Sequence, residues 1–229
     1  AKVTLNYFSG VSEITRHLGV LNAQQWREII IDSYANLDRY NGATTPTEPH
    51  WTAIDSLNPM NNGDVDWQSV MYRKAWQHQV DLGVQGGAEA AKYAFSTSYL
   101  DQDGIFLASN YKRITSRLNT DFKVSDKVTI GQNVSFTNGK NNRINAGGTG
   151  NLSLVQSILV RPPIYSLTYP DGSPIYYFNG KRNPVGMAEE CTHLNVTNRM
   201  IGNQYLEYDI LENLMFRTSL SIDFISMKE

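Results

Sequence analysis

The chain has 229 residues and carries 20 Lys plus Arg against 22 Asp plus Glu, a formal net charge of −2. That length can bury a sizeable core as one large domain or two small ones, and the charge lacks the basic excess that phosphate-backbone binding requires, so nucleic acid is not an expected partner. The single cysteine, Cys191, makes neither an intrachain disulfide nor a thiolate zinc site, and reads as a small side chain in a loop.

No apolar run approaches the roughly 18 residues of a transmembrane helix. The longest are short pieces such as Ile29-Ile30-Ile31. A mean hydropathy of −0.39 is still compatible with a transmembrane barrel, because barrel strands alternate apolar and polar residues. No signal-peptide pattern opens the sequence, which starts on strand-like alternation, so the start of the gene product is expected upstream.

In chain order, weak alternation over 2–11 predicts a first strand. Asn22 with Gln25 then resembles a capping box, and Trp26, Ile29, Ile30, Ser33 and Leu37 follow at helical spacing, which predicts a helix over 23–37. Strands are expected at 79–85 and 92–100. The clearest pattern is 111–124, where Ile114, Leu118, Phe122 and Val124 oppose Arg113, Thr115, Arg117, Asn119, Asp121 and Lys123. It returns at 128–137, and again at 203–210 and 214–224. Between these, a short helix is expected over 152–160, capped by Asn151 and ended by Arg161-Pro162-Pro163, with a turn at Tyr169-Pro170-Asp171-Gly172.

These seven candidate strands are joined by two kinds of connection. The segments 86–91, 125–127 and 211–213 are short, whereas 12–77, 101–110 and 138–202 are longer. In an up-and-down meander every short turn then lies at one end, as in outer-membrane barrels with tight periplasmic turns and long extracellular loops. Aromatics on the apolar face fall into two bands: Tyr93, Phe122, Tyr208 and Phe216 near the short turns, and Tyr7, Tyr99, Phe136 and Phe224 near the long loops. Such bands fit the interfacial girdles of a barrel, although a soluble sheet that covers its core with aromatics satisfies the same pattern. The expected class is all-β: an antiparallel meander forming part of a transmembrane β-barrel, with short helices in its long loops.

Several elements resemble the SusC/RagA branch of TonB-dependent receptors. Lys2-Val3-Thr4 through Gly10-Val11 is similar to the first barrel strand after the plug, and Leu21-Asn22-Ala23 to the start of a loop helix. Asp66-Trp67-Gln68 resembles an Asp-Trp-Gln element of the family, and Val84-Gln85-Gly86-Gly87 its Gly-Gly turn. The run Ser98 to Ile105 and the strand from Tyr111 through Asn119 follow in the family's order. The resemblance implies a partial barrel domain over 1–229, without the plug, the TonB box or most of the strands. It implies a parent importer of oligosaccharides or peptides, sited in the outer membrane and working with TonB and a SusD-like lipoprotein. A soluble, secreted β-rich carbohydrate- or protein-binding module is the alternative.

No catalytic residues, metal ligands or cofactors are expected, since His17, His50, His78 and His193 show no metal or triad spacing. Asp101-Gln102-Asp103-Gly104 opens like a calcium loop, but the later ligands do not follow in register, so a tight loop with Gly104 at positive φ is expected instead. Arg113, Arg117, Asp121 and Lys123 share the polar face, which the resemblance turns toward the plug. Trp51, Trp67, Tyr169, Tyr176 and Tyr177 fall in the long loops. Their flat rings suit sugar faces, peptide side chains or packing within the loops, and the resemblance favours an architectural role for Trp67.

Overall fold

The computed structural model describes residues 1–47, 63–143, 153–178, 181–190 and 193–229. Long strands dominate it: β1 (Lys2–Ser12), β2 (Ala75–Ala88), β3 (Ala91–Asp103), β4 (Asn110–Ser125), β5 (Val128–Asn142), β8 (Leu194–Leu211) and β9 (Leu214–Lys228). Their order in the sheet is β1-β2-β3-β4-β5-β8-β9, each pair antiparallel. This is an up-and-down meander without a crossover. The tight connections are Glu89-Ala90, Asp126-Lys127 and Glu212-Asn213, so all three lie at one end. Strands β1 and β9 form the two edges, and each presents a row of backbone donors and acceptors that no other strand among the described residues pairs.

Several strands outrun their sequence pattern. Strand β8 begins at Leu194, where the pattern shows only 203–210, because Asn198 and Gly202 sit on its apolar face and Ile201 on its polar face. Pairing with β5 and β9 extends the strand where alternation fails. Two glycines in the sheet are covered by tyrosines on the neighbouring strand. A Cβ on Gly86 would lie 2.7 Å from the Tyr93 hydroxyl, and one on Gly131 would lie 2.1 Å from the Tyr205 ring. In each case the missing side chain makes room for the ring.

At the other end the long connections fold into a cap. Helix α1 (Ala23–Asn41) starts with a complete capping box. Asn22 Oδ1 accepts from the Gln25 amide at 2.9 Å, and Gln25 Oε1 from the Asn22 amide at 3.2 Å. It runs past Leu37 and stops at Gly42, whose φ of 63° suits a left-handed cap. Helices α2 (Trp67–Met71), α3 (Leu154–Val160) and α4 (Pro184–Glu190), with a small hairpin of β6 (Tyr177–Phe178) and β7 (Lys181–Arg182), complete the cap. The cap of α3 is Ser153 rather than the expected Asn151, which lies outside the described residues. Ser153 and Gln156 form a second capping box, a pairing in which side chain and backbone satisfy each other.

The apolar core of the described residues lies mainly in this cap. Trp67, Met71, Leu154, Ile158, Ile175, Phe178 and Ala188 pack together, and Ala23 and Ile164 form a second, smaller cluster. Beneath it, the β3–β4 connection is held by Arg73, whose Nε donates to the Gly104 carbonyl at 3.1 Å and Nη2 to the Ser109 carbonyl at 2.8 Å. Gly104 does not have positive φ. A Cβ there would meet Ser109 Oγ at 2.1 Å, so the glycine answers a need for space, while Ala108 carries the left-handed backbone at φ 63°.

Candidate functional site

The register separates the sheet into two unlike faces. On one, Phe95, Leu118, Val134 and Gly202 stand in a row across β3, β4, β5 and β8, with Val3, Val84 and Ile222 continuing it outward. Much of this face is open to the surroundings, with Leu5 69 % exposed and Leu220 67 %. A sheet in water normally covers such a face with a second layer. No second layer lies on it among the described residues, whose buried clusters are in the cap.

The opposite face is polar and divides into two halves. Across β8 and β9 its charges satisfy one another. Arg199 holds Asp223 through Nε at 3.0 Å and Nη2 at 2.6 Å, and Arg217 meets Glu207 at 3.0 Å while its guanidinium lies 4.3 Å from the centre of the Tyr205 ring. Tyr205 in turn donates to Asp121 on β4 across the intervening β5. Across β1 to β4 the arrangement is open. A cavity of about 410 Å³ is floored by Gly83, Ser96, Ser98 and Thr115 and flanked by Arg113 and Arg117, neither of which has a carboxylate partner among the described residues. Asp81 also borders it, but accepts from Ser98 Oγ at 2.5 Å and from Gln79 Nε2 at 2.9 Å.

The four polar-face residues singled out in β4 therefore differ in situation. Arg113 and Arg117 share one cavity. Asp121 is occupied by Tyr205, and Lys123, near the tight turn, lies 3.6 Å from Asp126. Alternation displays Arg113 and Arg117, but the partners of Asp121 lie on strands brought close only by the fold. The ion pairs of Arg199 and Arg217 were likewise missed, although the opposite-charge residues on adjacent predicted strands were a usable signal for Arg217 and Glu207.

In the cap, the Asp-Trp-Gln element has a structural use for each side chain. Asp66 caps α2, accepting from the Gln68 amide at 3.0 Å and from Ser69 Oγ at 2.5 Å. Partial burial works against its ionised form, yet the bonds from Ser69 and Gln68 outweigh it and hold the carboxyl below its ordinary value. Trp67 is 3 % exposed and donates from Nε1 to the Pro162 carbonyl at 3.2 Å, so its ring is enclosed by protein and offers no open face to a ligand. Gln68 clamps Leu18 by both backbone groups, at 2.9 and 2.8 Å.

The loop tyrosines lie further out. Tyr169 is exposed at a turn closed by the Gly172 amide, 2.9 Å from its carbonyl. Tyr176 and Tyr177 donate to Glu189 and Glu190 of α4 at 2.6 and 2.7 Å, and these acceptors raise both phenol pKa values. Tyr169 and Tyr177 thus keep exposed surface, with Tyr177 tied to α4. Trp51 lies outside the described residues. Among the described residues no group of three or more His, Cys, Asp or Glu side chains is placed to hold a metal ion.

No family model matches the sequence. A TonB-dependent receptor of Formosa agariphila, P39, is 29 % identical over 227 residues, covering 99 % of this chain and 20 % of that protein. The TonB-dependent receptor SusC of Bacteroides thetaiotaomicron is 27 % identical over 124 residues, 53 % of this chain and 12 % of SusC. Among solved structures, that of the RagAB peptide transporter superposes with a TM-score of 0.72 at 18 % identity, covering 98 % of this chain and 28 % of that one. The chain spans about a fifth of the length of P39. The unclosed antiparallel meander with one apolar and one polar face thus has the fold of a β-barrel wall, and along nearly its whole length the chain is similar in sequence to a section of a TonB-dependent receptor, with SusC among its relatives.

Proposed function

We propose that the protein containing this chain is an energised outer-membrane importer. It takes up oligosaccharides or peptides together with a SusD-like surface lipoprotein and draws its energy from TonB. The observation that carries this reading is the exposed, largely apolar face, from Leu5 on β1 to Leu220 on β9, backed by a polar face with cavities. In water that face costs about 25 cal/mol for each Å² of apolar surface left open, whereas lipid tails cover it. The soluble, secreted binding module is disfavoured by the same face.

Within this reading, the exposed apolar face meets lipid and the polar face lines the lumen. Arg113 and Arg117 then meet the plug through charge-assisted hydrogen bonds, with Asp121 and Lys123 serving the wall itself. The cap faces outward, and Tyr169 and Tyr177 are its open rings for substrate or lipoprotein. Trp67 acts as the pillar of the cap, and no cofactor is called for.

Detergent dependence of the purified full-length protein, measured beside uptake, tests the proposal. An importer stays monodisperse only in detergent or lipid and supports growth on its substrate. A protein that is monodisperse in plain buffer contradicts the reading. The double variant Arg113→Glu/Arg117→Glu should reach the membrane in normal amount yet take up less substrate. Unchanged uptake would remove the two arginines from the proposed lumen site.

A further inference from the structure

The exposed apolar face ends, on the side of the long loops, in a charged rim. Its carboxylates are already engaged. Asp101 accepts from Lys112 at 2.9 Å and from the Tyr99 hydroxyl at 3.3 Å, Asp103 meets Arg73 at 3.3 Å, and Glu13 lies 3.7 Å from Lys74. Two further lysines on this rim, Lys140 and Lys228, are exposed and have no carboxylate partner among the described residues. They are placed together by register: Lys112 stands opposite Lys140, Lys140 opposite Val196, and Val196 opposite Lys228. Lys140 and Lys228 are thus two strand spacings apart, about 10 Å, with a valine between them. Cations set across a sheet from one another repel, and an anion between them relieves that repulsion.

The rows beneath change character in a fixed sequence. One step toward the short turns, about 7 Å along the strands, lie Asn138, Asn198 and Ser226, with Asn138 Nδ2 donating to Asn198 Oδ1 at 2.7 Å. The next step brings Phe136, Met200 and Phe224, all exposed. Cation, neutral hydrogen-bonding group and apolar surface therefore succeed one another on the same three strands. An anionic lipid has the same succession of phosphate, ester and acyl chain.

We propose that Lys140 and Lys228, flanked by Lys112, hold the phosphate headgroup of an anionic membrane lipid on the outside of the barrel. The acyl chains of that lipid lie on Phe136, Met200 and Phe224. This inference rests on the membrane reading above and adds to it a lipid site. The test uses the full-length protein, purified in detergent and equilibrated with phosphatidylglycerol or phosphatidylcholine, with retained lipid counted by native mass spectrometry. Each basic side chain near an anionic lipid surface is worth about a five-fold factor in binding. Lys140→Ala/Lys228→Ala should therefore lower phosphatidylglycerol retention by roughly 25-fold and leave phosphatidylcholine unchanged. Lys92→Ala, on the opposite face, should alter neither. Heat-modifiable gel mobility verifies folding, and if the double variant fails to fold, each single variant should still show its own five-fold loss. Retention unaffected by the lysine substitutions overturns the site. Displacement of the lipid by excess inorganic phosphate also overturns it, since the lysines would then form a free-anion site. A protein that is monodisperse without detergent defeats the membrane reading instead, which separates the two failures.

Discussion

The sheet and the cap of this chain use their apolar residues in opposite ways. In the cap, short helices bring Trp67, Met71, Ile158 and Phe178 together and bury them almost completely. In the sheet, Leu118, Phe216 and Ile222 are held apart by the register and left 36, 53 and 55 % exposed. The cap is therefore a structure that water drives to fold. The sheet has an exposed apolar face for which water is the wrong solvent. One chain contains both because each half alternates with the other along the sequence: every long connection joins the cap, and every tight turn lies at the far end.

The contrast can be broken most severely in the cap. Truncation of Trp67 to alanine removes a large enclosed ring together with its bond to Pro162, and should cost the cap about 3–5 kcal/mol. Hydrogen exchange should rise over residues 63–71 and 153–178, with the strands unaffected. Loss of protection throughout the sheet would show that cap and wall are one cooperative unit.

On the sheet, Leu118→Arg should cost about 2–4 kcal/mol in a vesicle-based folding assay if the position lies near the bilayer midplane, because the membrane reading turns its side chain toward lipid. Asn119→Arg, on the polar face one residue on, should be much milder. Equal losses at the two positions would erase the distinction between the faces.

Acid sharpens the comparison from another direction. Asp66 has its folded pKa held below the ordinary carboxylate value of about 4. Its contribution is therefore fully present above that unfolded value and is lost as the pH falls through the lower folded one. Asp38 and Asp171 are shifted the same way by bonds from Thr47 and Ser173. Protease sensitivity of the cap should accordingly rise below about pH 4, and Asp66→Asn should make the cap less sensitive to this change. The smallest expected effect belongs to Ala108, whose φ of 63° strains a residue with a Cβ. Ala108→Gly should relieve up to about 1 kcal/mol there, visible as a slight rise in the melting temperature of the cap.

Much of the sheet was legible because a half-apolar strand advertises itself by period two, as β4 does with Ile114, Leu118 and Phe122 against Arg113 and Arg117. Where the alternation is broken, as at Asn198 and Gly202 in β8, pairing with neighbours extends the strand and a single-strand pattern cannot show it. The capping box at Asn22 was visible in a local motif, whereas the choice of Ser153 over Asn151 for α3 needed the backbone. At the candidate site, the polar face of β4 was readable, but the division between Arg113 and Arg117, which have no carboxylate partner among the described residues, and the occupied Asp121 was not. That division depends on Tyr205, which is distant in sequence and brought across Gly131 only by the register. Trp67 was readable as an element of the architecture, but its partners, the edge-on ring of Phe178 and the carbonyl of Pro162, are linked to it by no local pattern.

The central claim is that the two faces of this sheet meet different solvents. Nitroxide labels at Leu118→Cys and Asn119→Cys, in full-length protein lacking other cysteines and reconstituted in vesicles, test it directly through collision with oxygen and with a water-soluble nickel complex. The label at 118 should collide freely with oxygen and little with nickel, and the label at 119 should show the reverse preference or be shielded from both. Nickel access at 118 equal to that of a label in water would mean that the apolar face does not meet lipid, and would contradict the account.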